Sequence, residues 1–161
     1  MFLRMNILKR WAHAGHAAGA SEPRSQPASG GAEMRPLILL VARDPALVAW
    51  LQGPLTRAGF AVRVAHNRDQ ALAMARQRRP EVLLIERRLP GDALDLCHDL
   101  RVELQVPIVI MAAPNDQDDI IAALDGGADD VLTSSCPPAE AVARVRGIVR
   151  RAARPSHVLE Q

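Results

Sequence analysis

Glu86 stands where an aliphatic run ends. Residues 82–85 are Val-Leu-Leu-Ile, Glu86 follows, and Arg87-Arg88-Leu89-Pro90-Gly91 reads as a loop. A carboxylate at the end of a buried strand faces the rim where α/β proteins bind their ligands. A second acid, Asp44, lies beyond an earlier aliphatic run and directly after Arg43. The turn there is Asp44-Pro45, with no glycine-rich phosphate loop. No nucleophile–base pair is visible. The histidines at 13, 16, 66, 98 and 157 show no ligand spacing; His13 and His16 offer at most adventitious metal binding. Cys136 lacks a basic neighbour to lower its pKa, so it reads as inert rather than as a thiol switch. Asp118-Asp119 and Asp129-Asp130 are explained by a helix dipole and a polar strand start rather than by a bound cation. The run Arg76-Gln-Arg-Arg79 reads as a solvated helix end.

The elements that must position Glu86 alternate regularly. Aliphatic runs occur at 37–41, 61–65, 82–85, 107–111 and 130–133. Helical patterns separate them. The first starts at Asp44-Pro45 and stops at Ala58-Gly59, with Gly53-Pro54 expected to kink or shorten it. Asn67 caps a second helix through Arg76, and a third covers 92–102. A fourth runs from Asn115 to Leu124 with acids in its first turn. Pro137-Pro138 open a fifth, with Val142, Val145, Ile148 and Val149 on one face. Five such units imply an α/β fold, a doubly wound five-stranded parallel sheet of flavodoxin-like order.

Composition bounds what surrounds this domain. The chain has 161 residues, 48% of them apolar, and only four aromatics, so its core is aliphatic. Net charge is +2, but residues 1–35 hold five Arg/Lys against two Asp/Glu, while 36–152 hold fourteen against fifteen. The basicity belongs to the N-terminal extension and is no nucleic-acid footprint on the domain. Two cysteines do not make a disulfide framework, and a reduced, cytoplasmic setting follows by default. No apolar run approaches the ~20 residues of a membrane span. Residues 1–35 read as a disordered extension and linker, 36–152 as the domain, and 153–161 as a tail too short for an effector. Leu3, Ile7, Leu8 and Trp11 could share a weak helical face within that extension.

Particular segments resemble the receiver domains of two-component response regulators (CheY-like). They are Leu39-Leu-Val-Ala-Arg-Asp-Pro45, Ala58-Gly-Phe60, Leu89-Pro-Gly91, Val106-Pro107, Gly127-Ala-Asp-Asp130 and Ala141-Val-Ala-Arg-Val-Arg146, in the order and at the spacings of that family. The last is most similar to receivers joined to winged-helix DNA-binding domains. The resemblance implies a (βα)5 fold and a phosphorylation site in which Mg²⁺, a lysine and a hydroxyl neutralise the transferring group.

The resemblance also exposes what is missing. Glu86 takes the place of the phosphoacceptor aspartate. The acidic pair aligns with Ala42 and Arg43, with Asp44 as neighbour. The hydroxyl position is Ala112, the lysine position Ser134, followed by Ser135 where proline is usual, and the aromatic switch position Val131. The loop after Gly91 is one residue shorter than usual, and Lys9 is the only lysine in the chain. Mg²⁺ binding is therefore expected to be lost, and no cofactor is expected. Either Arg43 pairs with Glu86, helped by Arg87 or Arg88, or Arg43 points to solvent and Glu86 is a solvated strand end.

These readings lead to a degenerate receiver, not an enzyme, that acts through phosphorylation-independent protein contacts. The expected partner is a protein. It could be a second copy joined through the fourth helix, fifth strand and fifth helix, where Asp130, Glu140, Arg144 and Arg151 offer charges, or a sensor kinase or regulator. No direct nucleic-acid contact is expected. Two other classes stand beside this one: a regulatory domain separated from a DNA-binding transcription factor, and a flavodoxin-like small-molecule binder.

Overall fold

The computed structural model describes residues 34–89, 91 and 93–154. Residues 1–33 and 155–161 lie outside them, and with them most of the expected extension and tail. The order is β1 (Leu37–Val41), α1 (Pro45–Arg57), β2 (Ala61–Ala65), α2 (Arg68–Gln77), β3 (Val82–Glu86), α3 (Ala93–Leu104), β4 (Ile108–Ala112), α4 (Gln117–Asp125), β5 (Asp130–Thr133) and α5 (Pro138–Ala152). The strands form one parallel sheet in the order β2-β1-β3-β4-β5. The chain winds outward in both directions from β1 and β3, which makes their carboxyl ends the switch-point crevice.

Burial follows this order. β1 and β4 are buried along their whole length, and β3 along all but Glu86, because helices cover both faces of the central strands. Edge strand β2 is only half-buried and admits Arg63. Leu39, Leu83, Ile85 and Ile110 point to one face, where Ala71, Ala75, Leu96 and Leu100 meet them. The alternate residues Ile38, Leu40, Leu84 and Val109 are also fully buried and face the opposite side, which α1 and α5 cover.

Helix boundaries have local causes. The Asp44 side chain accepts the Ala46 N–H at 2.9 Å, with Pro45 at the first helical position. Asn67 does the same for Gln70 at 2.9 Å. α1 is not shortened at Gly53-Pro54; it continues to Arg57. Part of the clash proline makes is with the Cβ of the residue before it, and Gly53 has none. α1 ends where Gly59, at φ +97°, sends its N–H to Thr56 O while Phe60 N–H bonds to Leu55 O. α4 ends in the same way at Gly127, φ +94°, with Ala128 N–H on Ala123 O. α3 runs two residues beyond the expected Val102. β4 starts at Ile108 rather than Pro107, which offers the sheet only its carbonyl, to Leu83 N–H at 3.0 Å. Asp129 holds that strand start: its carboxylate accepts the Ile108 N–H at 2.8 Å and Arg101 at 2.7 Å. Its role is structural, as strand-start polarity implied. Among the described residues no helix is long and apolar enough to cross a membrane.

Candidate functional site at the carboxyl ends of the strands

Glu86 is the last residue of β3, opposite Met111 of β4. Its half-buried side chain reaches sideways to the β1–α1 loop. There Glu86 Oε2 accepts the backbone N–H of Arg43 at 2.7 Å and that of Asp44 at 3.3 Å. The guanidinium of Arg43 is not the partner; that side chain is exposed and makes no ion pair among the described residues. The contact is thus main chain to carboxylate: Arg43 is exposed, as one sequence reading had it, but Glu86 is hydrogen-bonded to the loop rather than solvated or paired with the guanidinium. An N–H bond to an ionised oxygen is stronger than a neutral one, so one carboxylate fixes the loop without any cation.

The next two residues grip α4. Arg87 Nη2 lies 3.1 Å from Asp119 Oδ1, with both side chains about three-quarters buried at 23% and 25% exposure. Arg88 Nη2 lies 3.3 Å from Asp116 Oδ2 and is 73% exposed. The Arg87 backbone N–H continues the ladder to Met111 O at 2.9 Å. Three successive residues therefore tie the end of β3 to the β1–α1 loop on one side and to the first turn of α4 on the other.

Asp116 itself caps α4 through the Asp119 N–H at 3.2 Å. Its carboxyl titrates below the ordinary range, chiefly because it accepts the Asp119 backbone N–H, then through a side-chain contact with Asp119, with Arg88 adding a smaller pull. A depressed folded pKa contributes stability that is present above the unfolded value and lost as pH falls through the folded one. Asp116→Asn keeps a capping oxygen and removes the charge. Its thermal midpoint should fall below that of the unmodified chain at pH 7. The gap should shrink as pH drops below about 4, where unfolded carboxyls protonate, and close once the folded Asp116 carboxyl protonates too. A gap of constant size across that range would exclude the charge as the cause.

The remaining candidate positions divide. Glu86, Asp44, Ala112 and Ser134 line one cleft of about 460 Å³ over the ends of β1, β3, β4 and β5. Ala42 is fully buried beneath the loop, its carbonyl 3.0 Å from His66 Nδ1 as donor. Val131 is buried in the core beside α4. Ser134 is exposed. On the far face Arg144 links Glu140 at 2.9 Å and Asp130 at 3.8 Å within the chain, while Arg151 is exposed. Burial, then the negative charge of Glu140, pushes the Cys136 thiol up, which keeps it protonated. Sequence reasoning missed Leu47 and Trp50 as cleft walls; their i, i+3 spacing at the start of α1 was the available signal.

The model of the response regulator receiver domain matches residues 38–146. The chain belongs to the response regulator receiver family. The receiver is 40% identical over 119 residues to the DNA-binding response regulator MtrA of Mycolicibacterium smegmatis, covering 73% of this chain and 52% of the relative. It is 37% identical to the transcriptional regulatory protein BaeR of Escherichia coli, covering 80% and 54%. Among solved structures, the BeF3-activated receiver domain of Klebsiella pneumoniae RstA matches with a TM-score of 0.66 at 31% identity, over 71% of this chain and 98% of that one. A two-component response regulator from Clostridium difficile matches at 0.67 and 29% identity, over 73% and 98%.

The chain spans about half the length of these curated relatives. That corrects one expectation. The near-neutral charge of residues 36–152 argued against direct contact with nucleic acid, yet the relatives sharing this receiver include proteins named as DNA-binding. The charge of a receiver reports on the receiver alone and carries no information about an output domain. The exclusion of nucleic acid does not stand.

The family implies a magnesium ion beside the acceptor. The residues present do not fit one. Such a cage needs near-octahedral oxygen ligands. Here Glu86 Oε2 is spent on two amides, Asp44 Oδ1 on the α1 cap, Ala42 has no donor side chain and Arg43 brings a positive charge. Among the described residues no cluster of three or more His, Cys, Asp or Glu could hold a metal.

Proposed function

We propose that this receiver is a phosphorylation-independent interaction module, not an enzyme, and that it works in the cytoplasm with residues 36–152 as its functional unit. The observation that carries this reading is the Glu86 carboxylate held by the Arg43 and Asp44 amides. In a competent site the acceptor must be free to attack phosphorus, with a metal and a lysine to neutralise the transferring group. Here the acid is engaged, and Ser134 and Ala112 stand in the lysine and hydroxyl positions. With Val131 in the switch position, no hydroxyl–aromatic pair exists to relay a change at Glu86. The fold offers a preset surface.

Incubation of the full chain with Mg²⁺ and acetyl phosphate should leave its intact mass unchanged, and Glu86→Asp should not restore uptake. A stable phosphoryl adduct on either protein would overturn the reading. The proposed contact surface is the face of Asp130, Glu140, Arg144 and Arg151. Arg144→Glu and Arg151→Glu should each weaken a protein association measured by light scattering or pull-down roughly tenfold, in line with an interface charge pair. Unchanged association in both variants would argue for another face.

The relatives favour a second, compatible reading: the receiver as the regulatory half of a DNA-binding transcription regulator. The support is 40% identity to MtrA across the receiver portion of that protein. Footprinting of the full-length gene product on its own promoter region, with and without Glu86→Ala, would test it.

A further inference from the structure

We propose that the cleft over the carboxyl ends of β1, β3, β4 and β5 binds a small aromatic monocarboxylate. Its volume of about 460 Å³ suits a small organic molecule. It lies at the topological switch point, where open α/β sheets hold their ligands.

The lining sets the chemistry. Leu47 and Trp50 of α1, both half-buried, line the cleft with Met111 of β4, which is itself buried, so the apolar part of its wall is chiefly the Leu47 side chain and the flat Trp50 ring. The ring favours an aromatic body. Ala112 and Ser134 are short side chains in the positions that carry a longer hydroxyl and a lysine in phosphorylated receivers. Their small size leaves room for a ring where those groups would stand.

The charges at the rim define the polar end. Glu86 is committed to the Arg43 and Asp44 amides, Arg87 to Asp119, and Asp44 to the α1 cap. Arg88 is different: it is 73% exposed and holds Asp116 by a single 3.3 Å contact. It can turn to a bidentate carboxylate with little loss. The exposed Ser134 hydroxyl adds a donor. Among the lining residues, one guanidinium free to turn beside two carboxylates suits a single negative charge better than a polyphosphate, and the apolar Leu47 and Trp50 disfavour a small hydrated ion.

The test uses the full chain with Trp11→Phe, leaving Trp50 as the single tryptophan. The probe is 8-anilinonaphthalene-1-sulfonate, read by energy transfer from Trp50. Saturable one-to-one binding is expected, displaced by 1-naphthoate, with neutral 1-naphthalenemethanol at least tenfold weaker. Ala112→Leu and Ala113→Leu, which fill the cleft, should each weaken the dye at least tenfold with unchanged far-UV circular dichroism. Because Ala112 is buried and its variant can misfold, exposed Ala113 decides the matter if it does. Non-saturable binding, or full affinity in the folded leucine variants, overturns the site. Equal competition by the neutral alcohol overturns the carboxylate. A phosphoryl adduct in the mass measurement would defeat the proposed function and leave this inference standing.

Discussion

Replacing Glu86 with alanine should cost the receiver about 2 kcal/mol of stability. The substitution leaves the Arg43 and Asp44 N–H groups without their acceptor. Hydrogen bonds to charged groups contribute roughly 1.5–3 kcal/mol each when well desolvated. The site is half-open, so water replaces part of that, and the longer 3.3 Å bond contributes less than the 2.7 Å one. In a domain of this size about 2 kcal/mol lowers the thermal midpoint by roughly 8 °C. Glu86→Gln keeps an oxygen of the same reach without the charge and should recover about half. Glu86→Asp is one methylene short and should resemble alanine. A Glu86→Ala midpoint equal to the parent's would mean that the carboxylate merely decorates the strand end.

Phe60→Ala should be costlier, about 3–5 kcal/mol. Phe60 is fully buried and is the largest side chain among the buried residues. It follows Gly59 at the end of α1, where its N–H bonds to Leu55 O at 3.1 Å, and Leu55 is itself fully buried. Residues in those two positions commonly pack together to seal a helix end. Close-packed interiors relax only partly around a deleted ring, so a cavity remains. Urea unfolding should show a lower midpoint with an unchanged slope, the sign of lost stability rather than altered compactness. Phe60→Leu should cost only about 1.5 kcal/mol. A loss below about 1 kcal/mol for the alanine variant would show that the site collapses freely.

The fold was legible because its signals are local. Aliphatic runs bounded β1, β2 and β5 to the residue, and the caps Asp44 and Asn67 acted at the positions their side chains imply. The identities Ala42, Arg43, Ala112 and Ser134, which the resemblance sets against the family's acidic pair, hydroxyl and lysine, were legible too, since identity needs no geometry. What the site does with the residues it kept was not. The partners of Glu86 are backbone amides, which every residue but proline carries, so no residue type announces them. Arg87 and Arg88 find Asp119 and Asp116 across about thirty residues, through the β3–β4 register that sets Glu86 against Met111. Pattern along the chain does not encode that pairing. Asp116 and Asp119 read as dipole complements because that explanation was sufficient locally.

The bond from Arg43 N–H to Glu86 has a consequence on the timescale of solvent exchange. Arg43 and Asp44 sit in an exposed turn, where amide protons normally trade with water almost at once. Holding them on a carboxylate from another strand ties their exchange to opening of the β1–α1 turn against β3. Two amide signals then become a clock on the ligand end of the sheet. They run slowly while Glu86 keeps its place and fast whenever a partner, a ligand or a substitution draws it away.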